Sequence, residues 1–131
     1  MITFHVSGTP APQGSKRHVG GGRMIESSKK VKPWREAVAR VASDHLLDEP
    51  LDGHLRVIIR FELPAPKKSR FGNRPAGPPD IDKLVRSTLD GLTTSRLIVD
   101  DARIVALTAT KHWAADTPGA TISIEPLAPA D

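Results

Sequence analysis

The sequence predicts a single α+β domain in which a small mixed or antiparallel sheet carries two helices on one face. Its length of 131 residues suits one domain, and its hydrophobic (38%) and charged (26%) fractions are close to the globular average. Four segments of alternating side chains are interleaved with two amphipathic helical patterns. We therefore expect the order β-α-β-α-β-β over residues 1–131, with a frayed tail at residues 126–131.

The first half of the chain contains two predicted strands and one predicted helix. Residues 2–6 alternate between apolar and polar side chains and lead into a Gly/Pro-rich turn at residues 8–12. Pro33 suits the first turn of a helix, and apolar side chains follow it at helical spacing to about Leu47. Residues 54–63 then alternate between an apolar and a basic face, and they form the clearest strand of the sequence.

The second half begins with a long predicted loop. Residues 64–79 hold five prolines and two glycines, and long loops in compact domains are often functional. Apolar residues from Ile81 to Leu92 follow at helical spacing, with Asp80 as a natural N-cap. Two further strands are predicted at residues 103–113 and 121–125, joined by a turn at residues 116–119.

Basic residues are concentrated in two segments. The net charge is +4 and the pI is about 9.8, which suits a polyanionic partner. Residues 14–35 hold seven basic residues against one acid, and residues 67–74 hold four without an acid. Both segments read as exposed loops that either contact a polyanion or only keep the protein soluble. The candidate contact residues are Lys16, Arg17, Arg23, Lys29, Lys30, Lys67, Lys68, Arg70 and Arg74.

Carboxylates are concentrated between these segments, at both ends of one helix-to-strand unit. Asp80 and Asp82 form a DxD pair at the helix start, and the pair Asp100-Asp101 precedes the next strand. Together they could form an oxygen site for Mg²⁺ or Mn²⁺. In the alternative interpretation Asp80 only caps the helix, Asp82 only favours its positive end, and the later pair only forms a turn. A surface ion-pair ladder of Asp82, Arg86 and Asp90 is a further structural alternative.

Several classes of protein are excluded by absent patterns. The chain has no cysteine, so disulfides, Cys-ligated zinc and thiol nucleophiles are ruled out. No HExxH or GxSxG motif is present, and residues 20–22 lack the rest of a phosphate-binding loop. The longest aliphatic run is three residues and no export signal is visible, so a soluble, cytoplasmic protein is expected.

The acidic unit carries a resemblance to a known family. PDIDKLVRSTLDGL, a short spacer and DDARI resemble the RusA family of Holliday junction resolvases, whose signature is approximately PDxDNLxKxxxDAL, a spacer and DDxQV. The segment from residue 8 to residue 17 is also similar to the opening of that family, as is Lys111 on the late strand. The resemblance covers essentially the whole chain.

The resemblance implies roles for individual residues. It makes Asp80, Asp82 and Asp101 the metal-binding catalytic acids, whereas Asp100 is a weaker candidate because its side chain could point the other way on a strand. Asp90 matches the signature and is expected to support structure. Two residues depart from the pattern: Lys83 replaces an Asn, and Arg86 replaces a functionally important Lys. Arginine keeps the charge but cannot donate its proton near neutral pH, so Arg86 is assigned a phosphate or transition-state contact.

The function implied by the resemblance is resolution of Holliday junctions in DNA recombination and repair. It implies Mg²⁺, for which Mn²⁺ could substitute, and a homodimer that cuts branched DNA by paired symmetric nicks. The basic segments and Lys111 would then contact DNA. The main rival is a non-catalytic basic DNA-binding module. An RNA-binding protein is a weaker rival, because three Phe, two Trp and no Tyr supply little stacking surface.

Overall fold

The predicted order of the main elements is confirmed. The computed structural model describes residues 1–13 and 29–129, together with the backbone of residues 16–18 and 24–26. Its strands are β1 (Ile2–Ser7), β2 (Lys16–His18), β3 (Met24–Glu26), β4 (Leu55–Leu63), β5 (Ile104–Trp113) and β6 (Gly119–Pro126). Its helices are α1 (Val31–Ala42) and α2 (Ile81–Ser95), and short 3-10 turns lie at Ser43–His45 and Asp101–Arg103.

Four strands form one mixed sheet in the order β1-β6-β4-β5. Strand β6 runs antiparallel to both β1 and β4, whereas β5 runs parallel to β4. A parallel pair needs a crossover connection, and the segment between β4 and β5 contains α2. At the sheet centre, Ile59 pairs with Ile122 on one side and Ala109 on the other.

The two faces of the sheet differ in the way that the β4 pattern predicts. Val57, Ile59 and Phe61 are fully buried beneath the helices, whereas Arg56 and Arg60 lie exposed on the opposite face. The core therefore lies between the sheet and the helix pair, and the other face is left open and basic.

The two helices approach each other closely. The buried Trp34 indole nitrogen donates a hydrogen bond to the Thr88 hydroxyl across the helix interface, at 3.1 Å. A Cβ atom added at Gly91 would lie 2.8 Å from the Val38 Cβ atom and 3.0 Å from the Arg35 carbonyl oxygen. The absence of a side chain at Gly91 thus lets α1 and α2 pack nearly backbone to backbone.

Three predictions from the sequence are wrong, and two of them concern boundaries. Helix α1 ends at Ala42 instead of about Leu47, because the Ser43 hydroxyl donates to the Arg40 carbonyl and the chain tightens into a 3-10 turn. The predicted tail is partly ordered, since β6 extends to Pro126 and the Leu127 amide donates to the His54 carbonyl. Residues 130 and 131 lie outside the described residues.

The third correction concerns the first basic segment, which was predicted to be an irregular loop. Strands β2 and β3 pair antiparallel within it, with Lys16 opposite Glu26. Three-residue strands are too short to show the alternation by which longer strands are recognised. Separately, no helix within the described ranges is long and apolar enough to span a membrane.

Candidate active site

Helix α2 presents two carboxylates at its start. Asp80 occupies the N-cap position, as predicted, with an extended backbone and a carbonyl that accepts the Leu84 amide. Its side chain makes no capping hydrogen bond, and it forms an exposed ion pair with the Lys83 ammonium group at 3.7 Å. Asp82 is exposed in the first helical turn. The Asp80 carboxylate is therefore not used to cap the helix, which removes one structural explanation for it.

The predicted ion-pair ladder along α2 is absent. Arg86 is exposed, and none of the ion pairs in the described part of the chain joins it to Asp82 or Asp90. The guanidinium group of Arg86 thus stands on the same helix as the acids without being neutralised by them. It is available to a phosphate group.

A second group of carboxylates lies where the chain enters β5. Asp100 has an extended backbone and precedes the 3-10 turn that begins at Asp101. Desolvation by the surrounding protein raises the pKa of Asp101, although the residue is exposed as a whole, and the charge and hydrogen bond of Asp100 and the charge of Asp90 raise it further. These three carboxyl groups therefore crowd one another.

This grouping changes the interpretation of Asp100 and Asp90. Asp100 was ranked lower because strand geometry could turn it away, but it precedes a turn and contributes to raising the pKa of Asp101. Asp90 was expected to support structure through an ion pair, and instead its charge acts on Asp101. The Asp-Asp pair and its spacing from Asp90 were visible in the sequence, but the 3-10 turn that brings them together was not.

The predicted metal ligands occupy two places along α2. Asp82 and Asp90 are eight residues apart, which corresponds to about 12 Å of helix rise, and Asp101 shares the charge environment of Asp90. Among the residues that the structure describes, no group of three or more His, Asp or Glu side chains is arranged to hold a metal ion. The assignment of Asp80, Asp82 and Asp101 as joint ligands stays a prediction.

The chemistry of these donors nevertheless fits Mg²⁺. Carboxylate oxygens are the ligands that a hard divalent cation prefers. Crowding of Asp90, Asp100 and Asp101 concentrates negative charge that a cation would offset. The uncapped Asp80 carboxylate also has lone pairs that no backbone amide uses.

Cationic side chains lie near the second acidic group. A groove of about 530 Å³ lies beside the contact of α1 with α2, and Asp90, Asp100 and Asp101 line it together with Lys32, Arg35 and Glu36 of α1. Both cations belong to the first basic segment, but neither was selected as a contact residue from sequence. Lys32 and Arg35 lie on α1, the helix whose buried side includes Trp34 and Val38. Assigning them to the helix from its apolar spacing could have identified them.

The first basic segment is anchored to the acidic helix. The Gln13 amide donates to the Lys83 carbonyl at 3.0 Å, and the Gln13 side-chain oxygen accepts from the Arg35 guanidinium group at 2.9 Å. The Ser87 hydroxyl donates to the Ala11 carbonyl at 2.6 Å. These contacts fix the residues directly before the first basic segment beside the acidic helix, and the course of the basic residues around the acidic centre stays a prediction.

Lys111 is held by the loop in front of α2. Its ammonium group donates to the carbonyl oxygens of Gly77 and Pro79, both at 2.9 Å, and Pro79 directly precedes Asp80. The predicted DNA contact by Lys111 is not tested by this arrangement. The contacts show that Lys111 joins β5 to the start of the acidic helix.

The remaining predicted contact residues are spread over the surface. Lys67, Lys68, Arg70 and Arg74 are exposed on the proline-rich loop, where Arg70 lies 4.9 Å from the Phe71 ring centre. Lys29 and Lys30 are exposed just before α1. The side chains of Lys16, Arg17 and Arg23 lie outside the described residues.

Comparison with known proteins agrees with the resemblance seen in the sequence. A protein of Bacillus subtilis (strain 168) named "uncharacterized protein YqaN" is 29% identical over 125 residues, which is 86% of this chain and 87% of that protein. The family described as "Endodeoxyribonuclease RusA" matches residues 7–125, a span that contains both helices, both acidic groups and strands β4 and β5. The chain therefore belongs to the RusA family of endodeoxyribonucleases.

Proposed function

We propose that this protein is a Mg²⁺-dependent, structure-selective endodeoxyribonuclease that resolves Holliday junctions by paired symmetric nicks. Its role would be in DNA recombination and repair, in the cytoplasm of a bacterial or phage-infected cell. The observation that carries the proposal is the crowding of Asp90, Asp100 and Asp101 in a groove that Lys32 and Arg35 of α1 also line. A phosphodiesterase needs acids that bind metal and cations that bind the DNA backbone.

Asp80, Asp82 and Asp101 would hold the metal, with Asp100 beside them. Bound Mg²⁺ would supply Lewis acidity that activates water and offsets charge on the leaving oxygen, and Mn²⁺ could substitute for it. Lys32 and Arg35 bind backbone phosphates along the groove and orient the strand. Arg86 contacts a phosphate oxygen from α2, because its guanidinium group is unpaired within the described structure.

We further propose that the protein acts as a homodimer. Opposed nicks in a four-way junction require two active sites related by a two-fold axis, and a closed two-fold dimer supplies them. Strand β5 is an edge of the main sheet, and its side chains Val105 and Leu107 are 61% and 46% exposed. A second copy of the chain would cover this apolar edge.

One observation favours a second candidate function, a non-catalytic DNA-binding module. Asp82 and Asp90 are separated along α2, and no metal-binding group of three side chains is present in the described ranges. In that function the basic surfaces bind DNA and the carboxylates only shape the fold.

The substitution Asp82→Asn separates the two functions. If Asp82 is a metal ligand that faces DNA, the substitution abolishes Mg²⁺-dependent nicking of a synthetic junction. Affinity for the junction in EDTA stays equal or increases, because a carboxylate that repels phosphate is gone. The measurements are nicking rate, junction affinity in EDTA and melting temperature.

Asp116→Asn is the matched control, since Asp116 is exposed in the turn between β5 and β6 and loses the same charge. The control should nick at the wild-type rate. Appreciable nicking by Asp82→Asn, or markedly weaker binding with a lower melting temperature, would show that Asp82 is structural. A wild-type protein that binds junctions but nicks none with Mg²⁺ or Mn²⁺ would support the non-catalytic module.

A further inference from the structure

A second charged cavity lies on the other side of the sheet. It has a volume of about 490 Å³ and is lined by Arg60 of β4, by residues 73–75 of the proline-rich loop, and by residues 110–113 of β5, which include Lys111 and His112. Arg60 is opposite Thr110 in the parallel register, and His112 follows two positions later on the same face. The cavity therefore combines the exposed face of the sheet with the loop that leads to α2.

The hydrogen bonds in the cavity define the state of His112. The Arg60 guanidinium group lies 3.2 Å from the His112 Nε2 atom, and the Thr110 hydroxyl lies 2.8 Å from that same atom. Arginine can only donate a hydrogen bond, so Nε2 is an acceptor and the ring proton is on Nδ1. The imidazole ring is neutral in this arrangement.

The cavity has an excess of positive charge. Neither Arg60 nor Arg74 makes an ion pair in the part of the chain that the structure describes. Desolvation lowers the pKa of His112, and the charges of Arg60 and Arg74 lower it further, while the nearby Glu62 only partly opposes them. Two guanidinium groups thus act on one site, and Glu62, opposite His112 in the parallel register, offsets part of their charge. An anion in the cavity would offset this charge.

Arg56 shows that the cationic character is local. It lies on the same face of β4, four positions before Arg60, and its guanidinium group is paired with the Glu125 carboxylate at 2.9 Å. The strand therefore neutralises one arginine internally and leaves the next one on that face unpaired.

The cavity is also next to the candidate active site. Lys111, between Thr110 and His112 on β5, donates to the carbonyl oxygens of Gly77 and Pro79. Pro79 immediately precedes Asp80, the first carboxylate of the acidic helix. A DNA strand with one phosphate near Asp80 would have neighbouring phosphates within reach of this cavity.

We propose that the cavity formed by Arg60, Arg74 and His112 binds a backbone phosphate of the DNA strand that enters the active site. Guanidinium groups bind phosphate oxygens through paired, charge-assisted hydrogen bonds. The Trp113 indole nitrogen already donates to the Gly72 carbonyl, so the ring forms a wall and is not needed as a donor. This proposal rests on the proposed function, because it assumes that the acidic helix acts on DNA.

The first test measures the salt dependence of junction binding in EDTA. Arg60→Gln and Arg74→Gln should each reduce the log-log slope by about one, which is the loss of one phosphate contact. The control Arg56→Gln removes the same charge from the same strand and should leave the slope unchanged. Slopes for Arg60→Gln and Arg74→Gln that equal that of Arg56→Gln would overturn the proposal.

The second test needs no variant and detects the anion directly. The pKa values of His112 and His54 are measured by NMR with and without inorganic phosphate, and then with a short oligothymidylate. Bound phosphate should raise the pKa of His112, because it offsets the two arginine charges. His54 lies outside the cavity and should not respond. Equal responses of the two histidines would contradict a phosphate site.

These measurements are independent of cleavage. Reduced slopes together with junction nicking by the wild type support both the cavity and the proposed nuclease. Reduced slopes without nicking would support the cavity and overturn the nuclease. Unchanged slopes with nicking would overturn the cavity alone.

Discussion

The acidic groove and the basic cavity are opposite in charge, but in both of them neighbouring charged groups shift the pKa of a titratable side chain. In the groove, Asp100 and Asp90 raise the pKa of Asp101 together with desolvation. In the cavity, Arg60 and Arg74 lower the pKa of His112 together with desolvation. Each region therefore places like charges beside one another, which costs stability in the free protein.

Some other charged residues of the chain form ion pairs. Arg56 pairs with Glu125, and Arg103 pairs with Asp52. Exposed pairs of this kind contribute little to stability, but they show that the fold brings opposite charges together at some positions. The comparison teaches that the groove carboxylates and the guanidinium groups of Arg60 and Arg74 have no ion-pair partner among the described residues, and the following predictions test that contrast.

The largest expected effect is that of Asp101→Asn. Loss of a carboxylate ligand should reduce Mg²⁺-dependent junction cleavage by about 100-fold or more, a typical effect of removing one electrostatic contact to the transition state. In EDTA the same variant should melt at a higher temperature, because the repulsion from Asp90 and Asp100 is removed. Cleavage rate and melting temperature are measured against the control Asp116→Asn. A lower melting temperature would mean that the Asp101 carboxylate stabilises the fold instead.

A smaller effect is expected at Arg86, a cation on the acidic helix. Arg86→Ala should reduce cleavage by about 10-fold or more, whereas Arg86→Lys should retain most activity, because the charge at the phosphate is kept. Single-turnover cleavage of a junction distinguishes the two variants. Near-wild-type cleavage by Arg86→Ala would remove Arg86 from the site.

The smallest effect concerns the pH dependence of stability in the basic cavity. Because the pKa of His112 is lowered in the folded protein from its ordinary value of 6.5, the unfolded chain binds more protons below that value. Stability should therefore fall as the pH drops below 6.5 and be fully recovered above it. Arg60→Gln should weaken this dependence, because one charge that lowers the pKa is removed.

Urea unfolding from about pH 5 to about pH 8 measures this contribution, since histidine titrates in that range. Arg56→Gln serves as the control, because its side chain is paired away from the cavity. An identical pH dependence in Arg60→Gln and wild type would show that Arg60 does not act on His112.

Long regular elements were predictable from the sequence. Strand β4 and helix α2 carry many repeats of their apolar pattern, and the structure places both as expected. The end of α1 was not predictable, because it depends on a single bond from the Ser43 hydroxyl. The β2–β3 pair was missed because each strand has only three residues.

The residues of the candidate site could be predicted from the sequence, whereas their positions relative to one another could be predicted only in part. The DxD and Asp-Asp pairs could be identified from their spacing, but the contact of Asp101 with Asp100 depends on a 3-10 turn. The basic cavity could not be found from sequence. It requires the parallel register that brings Arg60 to His112 across 52 positions of chain.

Gly91 gives the groove a fixed width. The residue lies on α2 next to Asp90, and the atoms it nearly touches belong to Val38 and to the backbone of Arg35, a residue that also lines the groove. The distance between Asp90 and the cations of α1 is thus set by the helix contact at Gly91, the residue that follows Asp90. Any side chain at position 91, even a methyl group, would act as a spacer between the two helices, so the dimensions of the groove and the stability of the helix pair cannot vary independently.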